Sequence, residues 1–199
     1  MAEAAGERPA GPRVLGRRLV ARSRLIQVEE VDLEFANGAR RTFERIPGGA
    51  DSVLIVPLLD ARTLLLIREY GAGSERYELG LPKGIVEPGE EPLAAANREL
   101  QEEVGYAARD LQVLGRVSVV PGYLGHRSLI VLARTLYPSR LPGDEPEPIE
   151  VVPWPLDALD ALLARDDFDE ARALAALYLT ERHLARAVQH RADQSQRRA

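Results

Sequence analysis

Hydrophobic and polar positions change period several times along this chain, and each change predicts an element. Val31, Leu33 and Phe35 alternate with polar residues, and Asn37-Gly38 follows as a turn that accepts positive φ. The segment from Arg24 to Arg45 therefore predicts a β-hairpin, closed by Pro47-Gly48-Gly49. Ser52 to Leu59 and Thr63 to Tyr70 are nearly continuous apolar runs parted by Asp60-Ala61-Arg62, the pattern of central strands covered on both faces. Arg76 to Gly80 predicts a short strand leading into a glycine-rich loop. Pro92 to Val104 predicts a helix, with proline in its first turn and Gly105 just past its end. Leu111 to Val120 and Arg127 to Arg134 read as another strand pair, and Val151 to Trp154 as a further strand. Asp157 to Arg165 and Asp169 to Gln189 read as helices. The order predicts an α+β fold, a mixed sheet with helices packed against it.

Residues 1–16 carry too few apolar side chains to pack and are expected to be a mobile arm. An N-terminal β unit is expected over 17–47, the main domain over 48–190 and a polar tail over 191–199. The segment LYPSRLPGDEPEPIE is acidic and proline-rich, either an ordered loop or an exposed linker. The formal charge of −5 excludes the broad basic field of a general nucleic-acid binder. With no cysteine there is no disulfide, thiolate metal site or thiol nucleophile, which suits a reducing interior. No run is apolar enough for a signal peptide or a bilayer span, so a soluble cytoplasmic protein is expected. Every basic residue is arginine except Lys83.

The helix over Pro92 to Val104 carries the candidate chemistry. Leu93, Ala96, Leu100 and Val104 form an apolar stripe, and Glu99, Glu102 and Glu103 fall on the adjoining arc. Crowded carboxylates repel unless a cation neutralises them. Hard oxygen donors without cysteine or histidine beside them point to Mg²⁺ or Mn²⁺. Taken by itself the helix also fits a solvated acidic face, with Arg98 and Glu102 as an ordinary i,i+4 pair.

The flanking residues decide between these readings. Gly84, Glu90, Arg98-Glu99-Leu100, Glu102-Glu103 and Gly105 reproduce every fixed spacing of the Nudix signature, and only Tyr106 departs from the usual aliphatic residue. The chain thus resembles the Nudix hydrolases. That resemblance implies an α/β/α sandwich with a mixed β-sheet, here with an N-terminal β-hairpin unit. It implies that Glu99, Glu102 and Glu103 ligate divalent cations, that Arg98 orients carboxylates and that Glu90 holds the loop. It also makes the Lys83 carbonyl a metal ligand and brings the Lys83 ammonium within reach of a phosphate. The implied reaction splits a pyrophosphate by attack of water at phosphorus, with a carboxylate taking the proton.

The resemblance extends to one branch. VARSRLIQVEEVDLEFANGARRTFER, LIREYGAGSERYELG and LYPSRLPGDEPEPI look like the bacterial ADP-compounds hydrolases, which act on ADP-ribose, diadenosine triphosphate and NADH. The N-terminal β unit implies a homodimer, or a hairpin completing its own subunit. Pro121 lies near the proline of ADP-ribose pyrophosphatases, and Tyr123 near the tyrosine of diadenosine polyphosphate hydrolases, unless Pro-Gly-Tyr is only a turn before a packed aromatic. GYLGHRS lacks the acid that ADP-ribose enzymes carry there. Arg68 and Glu78 either bind metal or nucleotide or form a strand-end ion pair. For the general base the resemblance favours Glu147, then Glu145 and Glu150 in the acidic loop, with Glu103 taking the role if the loop is only a linker. His126, His183 and His190 form no ligand cluster, and Trp154 and Phe168 either stack an adenine or pack. Other outcomes are a Nudix enzyme for GDP-sugars, nucleoside triphosphates or diadenosine tetraphosphate, or a silent nucleotide-binding regulator.

Overall fold

The structure, a computed structural model, describes residues 11–198, with residue 188 and residues 190–198 described by backbone alone. The chain folds into two compact units. One takes in the chain up to Gly49 together with Val120–His126, and the other holds Ala50–Val119 and the chain from Arg127 on.

The first unit is an antiparallel sheet of β1 (Arg13–Arg22), β2 (Gln27–Glu34) and β3 (Arg40–Arg45), in that order. The hairpin turn forms as expected: Phe35 N–H donates to Ala39 O at 2.9 Å, and Ala39 N–H to Asn37 Oδ1 at 3.0 Å. The arm expected over 1–16 lies outside the described residues up to residue 10, and from Arg13 it is strand instead. Register shifts between Val14 and Gly16 and between Leu19 and Ala21 break the period of two. The apolar residues of β1 consequently come in pairs, Val14-Leu15 and Leu19-Val20, and no alternation betrays the strand. Arg13 and Arg40 both pair with Glu34, at 2.8 and 2.7 Å, and Arg45 pairs with Glu29 at 3.0 Å. Ile46 donates to Tyr123 O at 2.8 Å and accepts from Gly125 N–H at 3.0 Å, tying Val120–His126 to the end of β3.

The second unit contains β4 (Ser52–Pro57), β5 (Thr63–Gly71), β6 (Arg76–Gly80), β7 (Lys83–Ile85), β8 (Tyr106–Ser118), β9 (Arg127–Pro138) and β10 (Glu150–Pro155). Its helices are α1 (Pro92–Glu99), α2 (Leu159–Leu163) and α3 (Ala171–Arg198). One sheet runs β7-β4-β9-β8, with β4 and β9 parallel, and the other runs β10-β5-β6, all antiparallel. The two apolar runs therefore do become inner strands, one in each sheet. All of β4 is buried. Val53 and Ile55 pack with Ala95, Ala96, Leu100 and Val104 on the α1 side, whereas Leu54 and Val56 pack with Leu162, Phe168, Ala173 and Leu177 from α2, α3 and the turn between them. Burying such side chains contributes about 1.5–3 kcal/mol each, and doing so on both faces produces the expected α/β/α layering.

Three local expectations need correction. Leu93 is exposed, and Ala95 fills the core position assigned to it. Residues 191–198, expected as a tail, continue α3. The helix expected from Asp157 begins as a 3₁₀ turn, Leu156–Ala158, behind Pro155, and α2 is short.

Candidate active site

The carboxylate helix is not uniformly α. After Glu99 it widens into a π turn, Leu100–Val104, with Gly105 N–H donating to Leu100 O at 3.2 Å. Such turns concentrate at functional sites. Gly105 ends the helix at φ 82, a conformation that costs glycine little. The wider turn rolls Glu103 inward, where it is 5% exposed beside Leu100 and Val104.

Arg98 is the hub of the loop and helix. Its Nε and Nη2 donate to the two oxygens of Glu90 at 3.0 and 3.1 Å, and Nη2 also donates to Ile85 O at 3.0 Å. Its Nη1 lies between Glu99, at 2.7 Å, and Glu102, at 3.0 Å. The far oxygen of Glu90 accepts from Glu87 N–H at 3.0 Å, so Glu90 does hold the loop. Gly84 is needed for a different reason. A Cβ there would lie 1.9 Å from Glu99 Cδ, inside the space the carboxylate fills.

Lys83 meets the helix through its backbone. Its N–H donates to Glu103 Oε2 at 3.0 Å, while its ammonium is paired with Glu69 at 2.6 Å. The Lys83 ammonium, expected within reach of a phosphate, is placed beside the Glu69 carboxylate. Arg68 bonds Glu150 at 3.0 Å and Asp167 at 2.9 Å, and Glu78 pairs with Arg76 at 2.9 Å. These are the strand-end ion pairs that the sequence left open for both.

Glu99, Glu102 and Glu103 line one cavity of about 300 Å³ together with Arg140 and residues 143–149 of the acidic loop. Glu145 and Glu147 are therefore brought to the helix carboxylates, and Glu147 accepts a bond from the Tyr77 hydroxyl at 2.7 Å. Burial pushes Glu103 up to about 8, against the nearby Lys83, with Glu99 and Glu69 adding to the rise. Desolvation also raises Glu99 despite Arg98, and it raises Glu145 beside Glu69 and Asp144. Glu90 is lowered by its bonds to Arg98. The site thus separates one well-compensated carboxylate from several short of positive charge.

That shortage is the test for a cation. Among the described residues no three acidic or histidine groups stand ready as a finished coordination shell, because Arg98 holds one oxygen each of Glu99 and Glu102. The donors nonetheless fit a hard divalent ion: only oxygen ligands, and a buried Glu103 whose carboxyl burial pushes up even though the Lys83 charge opposes the rise.

Residues 49–177 match the model of the NUDIX domain. The chain belongs to the Nudix hydrolase family. Residues 12–45 match the NudE-type Nudix hydrolase N-terminal domain. The chain is 51% identical to the ADP compounds hydrolase NudE of Escherichia coli (strain K12), over 87% of this chain and 93% of that protein. It is 31% identical to an ADP-ribose pyrophosphatase of Bacillus subtilis (strain 168), over 77% and 83% of the two chains. The solved crystal structure of an ADP compounds hydrolase superposes with a TM-score of 0.84 at 50% identity, covering 88% of this chain and 95% of that one.

Within this Nudix site, sequence reasoning missed four residues. Asp144 sits in the acidic loop and was passed over for its neighbours. Glu69 and Tyr77 are placed only by the β5–β6 pairing, where Tyr70 lies opposite Tyr77 and Glu69 opposite Glu78. Arg140 is one arginine among many, and nothing in the sequence marks it as the cation lining the cavity. Among the described residues its bonds are long, 3.5 Å to Glu102 O and 3.4 Å to Val104 O. Pro121 and Tyr123 belong to the first unit, where the Tyr123 carbonyl accepts from Ile46. Phe168 is buried in the core and Trp154 Nε1 donates to Ala158 O at 3.0 Å, so both pack. The described histidines, His126 and His183, join no ligand cluster, and the His190 side chain lies outside the described residues. Among the described residues, no helix is long and apolar enough to cross a membrane.

Proposed function

We propose that this Nudix chain hydrolyses the diphosphate bond of ADP compounds (ADP-ribose, diadenosine triphosphate and NADH), releasing AMP. The observation that carries the reading is one cavity that gathers Glu99, Glu102 and Glu103 with an acidic loop and one arginine. The similarity to an ADP compounds hydrolase through both its N-terminal and its Nudix segments supports the substrate class.

Glu99, Glu102 and Glu103 would hold Mg²⁺ or Mn²⁺, which when bound supplies charge neutralisation at the phosphates and an acidified water. Arg98 keeps Glu99 and Glu102 apart and aimed, and Gly84 leaves Glu99 its room. Arg140, loosely held, turns its guanidinium to a phosphate oxygen and offsets charge there. A water attacks phosphorus and gives its proton to Glu147. The new P–O bond forms as the bridging P–O bond breaks, and one phosphorylated half leaves. Glu150 is engaged with Arg68, which favours Glu147 over it as the base.

A cytoplasmic homodimer suits the first unit, whose sheet leaves Val14, Leu15, Leu19, Phe35 and Phe43 exposed. Chromatographic product analysis with Mg²⁺ on ADP-ribose, diadenosine triphosphate, NADH, GDP-mannose and dGTP tests the function. AMP from the ADP compounds, with the others nearly inert, is expected. Preference for GDP-mannose or dGTP would move the specificity, and inertness towards all would leave a silent nucleotide binder.

A further inference from the structure

The acidic loop is fastened at both ends and open between them. Leu141 N–H donates to Gln101 O at 3.3 Å, and Glu150 re-enters a ladder opposite Arg68. Among the described residues, no backbone hydrogen bond ties residues 142–149 to the rest of the unit. One side-chain bond does. Tyr77, on β6, donates its hydroxyl to Glu147 Oε1 at 2.7 Å.

Glu147 stands between Pro146 and Pro148. Each proline fixes its own φ, and the second keeps Glu147 out of the helical region, so the tripeptide is stiff and moves as a piece. A catch on its middle residue therefore sets the position of all three. Tyr77 is in turn steadied by Tyr70, its partner across the β5–β6 ladder, with ring centroids 5.5 Å apart and planes at 71°. A half-exposed aromatic pair at the end of a ladder needs no special purpose. The hydroxyl bond to a carboxylate lining the catalytic cavity gives this one a second use. Because that carboxylate accepts its proton, the hydroxyl's pKa lies above the usual tyrosine range and the group stays a donor at neutral pH. Only Oε1 is engaged, which leaves Oε2 to take a proton from water.

We propose that Tyr77 is a positioning residue, whose hydroxyl bond to Glu147 holds the Pro146-Glu147-Pro148 segment at the cavity and presents the Glu147 carboxylate to the attacking water. The inference rests on the reading of Glu147 as proton acceptor. It differs from a packing role in that the ring alone does not suffice and the hydroxyl is required.

Tyr77→Phe keeps the ring and its contact with Tyr70 and removes only the catch. Two readouts on the full chain decide the matter. In ¹⁵N relaxation without substrate, the backbone order parameters of Glu145 and Glu147 should fall from the rigid range near about 0.85 to below about 0.6. In steady-state kinetics on the best ADP compound, kcat should drop about tenfold with KM and melting temperature little changed, as expected when a reacting group is misplaced by a fraction of an ångström, a full ångström costing about 10²-fold. Glu147→Gln should cost about 10²-fold or more, and adding Tyr77→Phe to it should cost nothing further. Unchanged order parameters and unchanged kcat in Tyr77→Phe would overturn the proposal, as would multiplicative losses in the double variant. A wild-type rate in Glu147→Gln would overturn it together with the base assignment. The relaxation measurement needs no turnover, so loss of the catch and failure of the substrate reading are separable.

Discussion

Removing the charge of Glu103 should make the cation-free protein more stable while destroying its activity. Glu103 is 5% exposed, and its carboxyl is pushed from the usual 4.5 up to about 8, chiefly by burial. A carboxyl whose folded pKa is raised binds its proton more tightly in the folded state than in the unfolded one. Its contribution is fully present below about pH 4.5 and is lost as the pH rises through about 8. Each tenfold gain in proton affinity corresponds to about 1.4 kcal/mol, so burying the ionised form costs at most about 5 kcal/mol. Relaxation of the acidic loop and water entry should leave about half of that. Glutamine keeps an oxygen for the Lys83 N–H and carries no charge. In EDTA, Glu103→Gln should therefore melt with the wild type at pH 5 and above it by about 5–10 °C at pH 9, at about 2–4 °C per kcal/mol for a chain of this size. Paired acids such as Asp167, lowered by Arg165 and Arg68, change stability on the acid side and cancel in the comparison. The assay is differential scanning calorimetry across pH with chelator present. A melting difference independent of pH would refute the reasoning, because it would mean that the buried carboxylate is compensated.

Gly84→Ala should displace the Glu99 carboxylate, whose Cδ lies 1.9 Å from the new Cβ, and lower kcat at least tenfold with a melting change under about 3 °C; calorimetry beside steady-state rates checks both halves. Arg140→Gln should raise KM about tenfold for diphosphate substrates, the loss of roughly one charge-assisted contact, while the fold, which uses this side chain only through bonds of 3.4–3.5 Å, remains as stable. Activity should vanish in EDTA and return on adding Mg²⁺ or Mn²⁺, measured as AMP release, and persistence in chelator would defeat the assignment of Glu99, Glu102 and Glu103.

Much of this could be read from the residues, for identifiable reasons. The runs in β4 and β5 announce burial on both faces because neither face has to meet water. The spacing from Gly84 to Gly105 places the carboxylates because they share one short helix, so sequence distance and spatial distance agree. What was not legible depends on contacts distant in sequence. Glu69 and Tyr77 enter the site only through strand pairing, and Arg140 only through the fold of the loop. The strand β1 is hidden by its own bulges, which pair its apolar residues instead of alternating them. Lys83 shows a subtler limit: its place beside the site was legible, but its ammonium partner, Glu69, was not.

The π turn at Leu100–Val104 is one residue longer than the α-helical path it interrupts. Deleting a residue there would give the chain a more regular helix with stronger backbone bonding. It would also carry the following side chains about 100° round the axis, and Glu103 would lose its place against the Lys83 N–H. A more regular helix and a correctly placed Glu103 make opposite demands on this segment, and the wider turn meets the second.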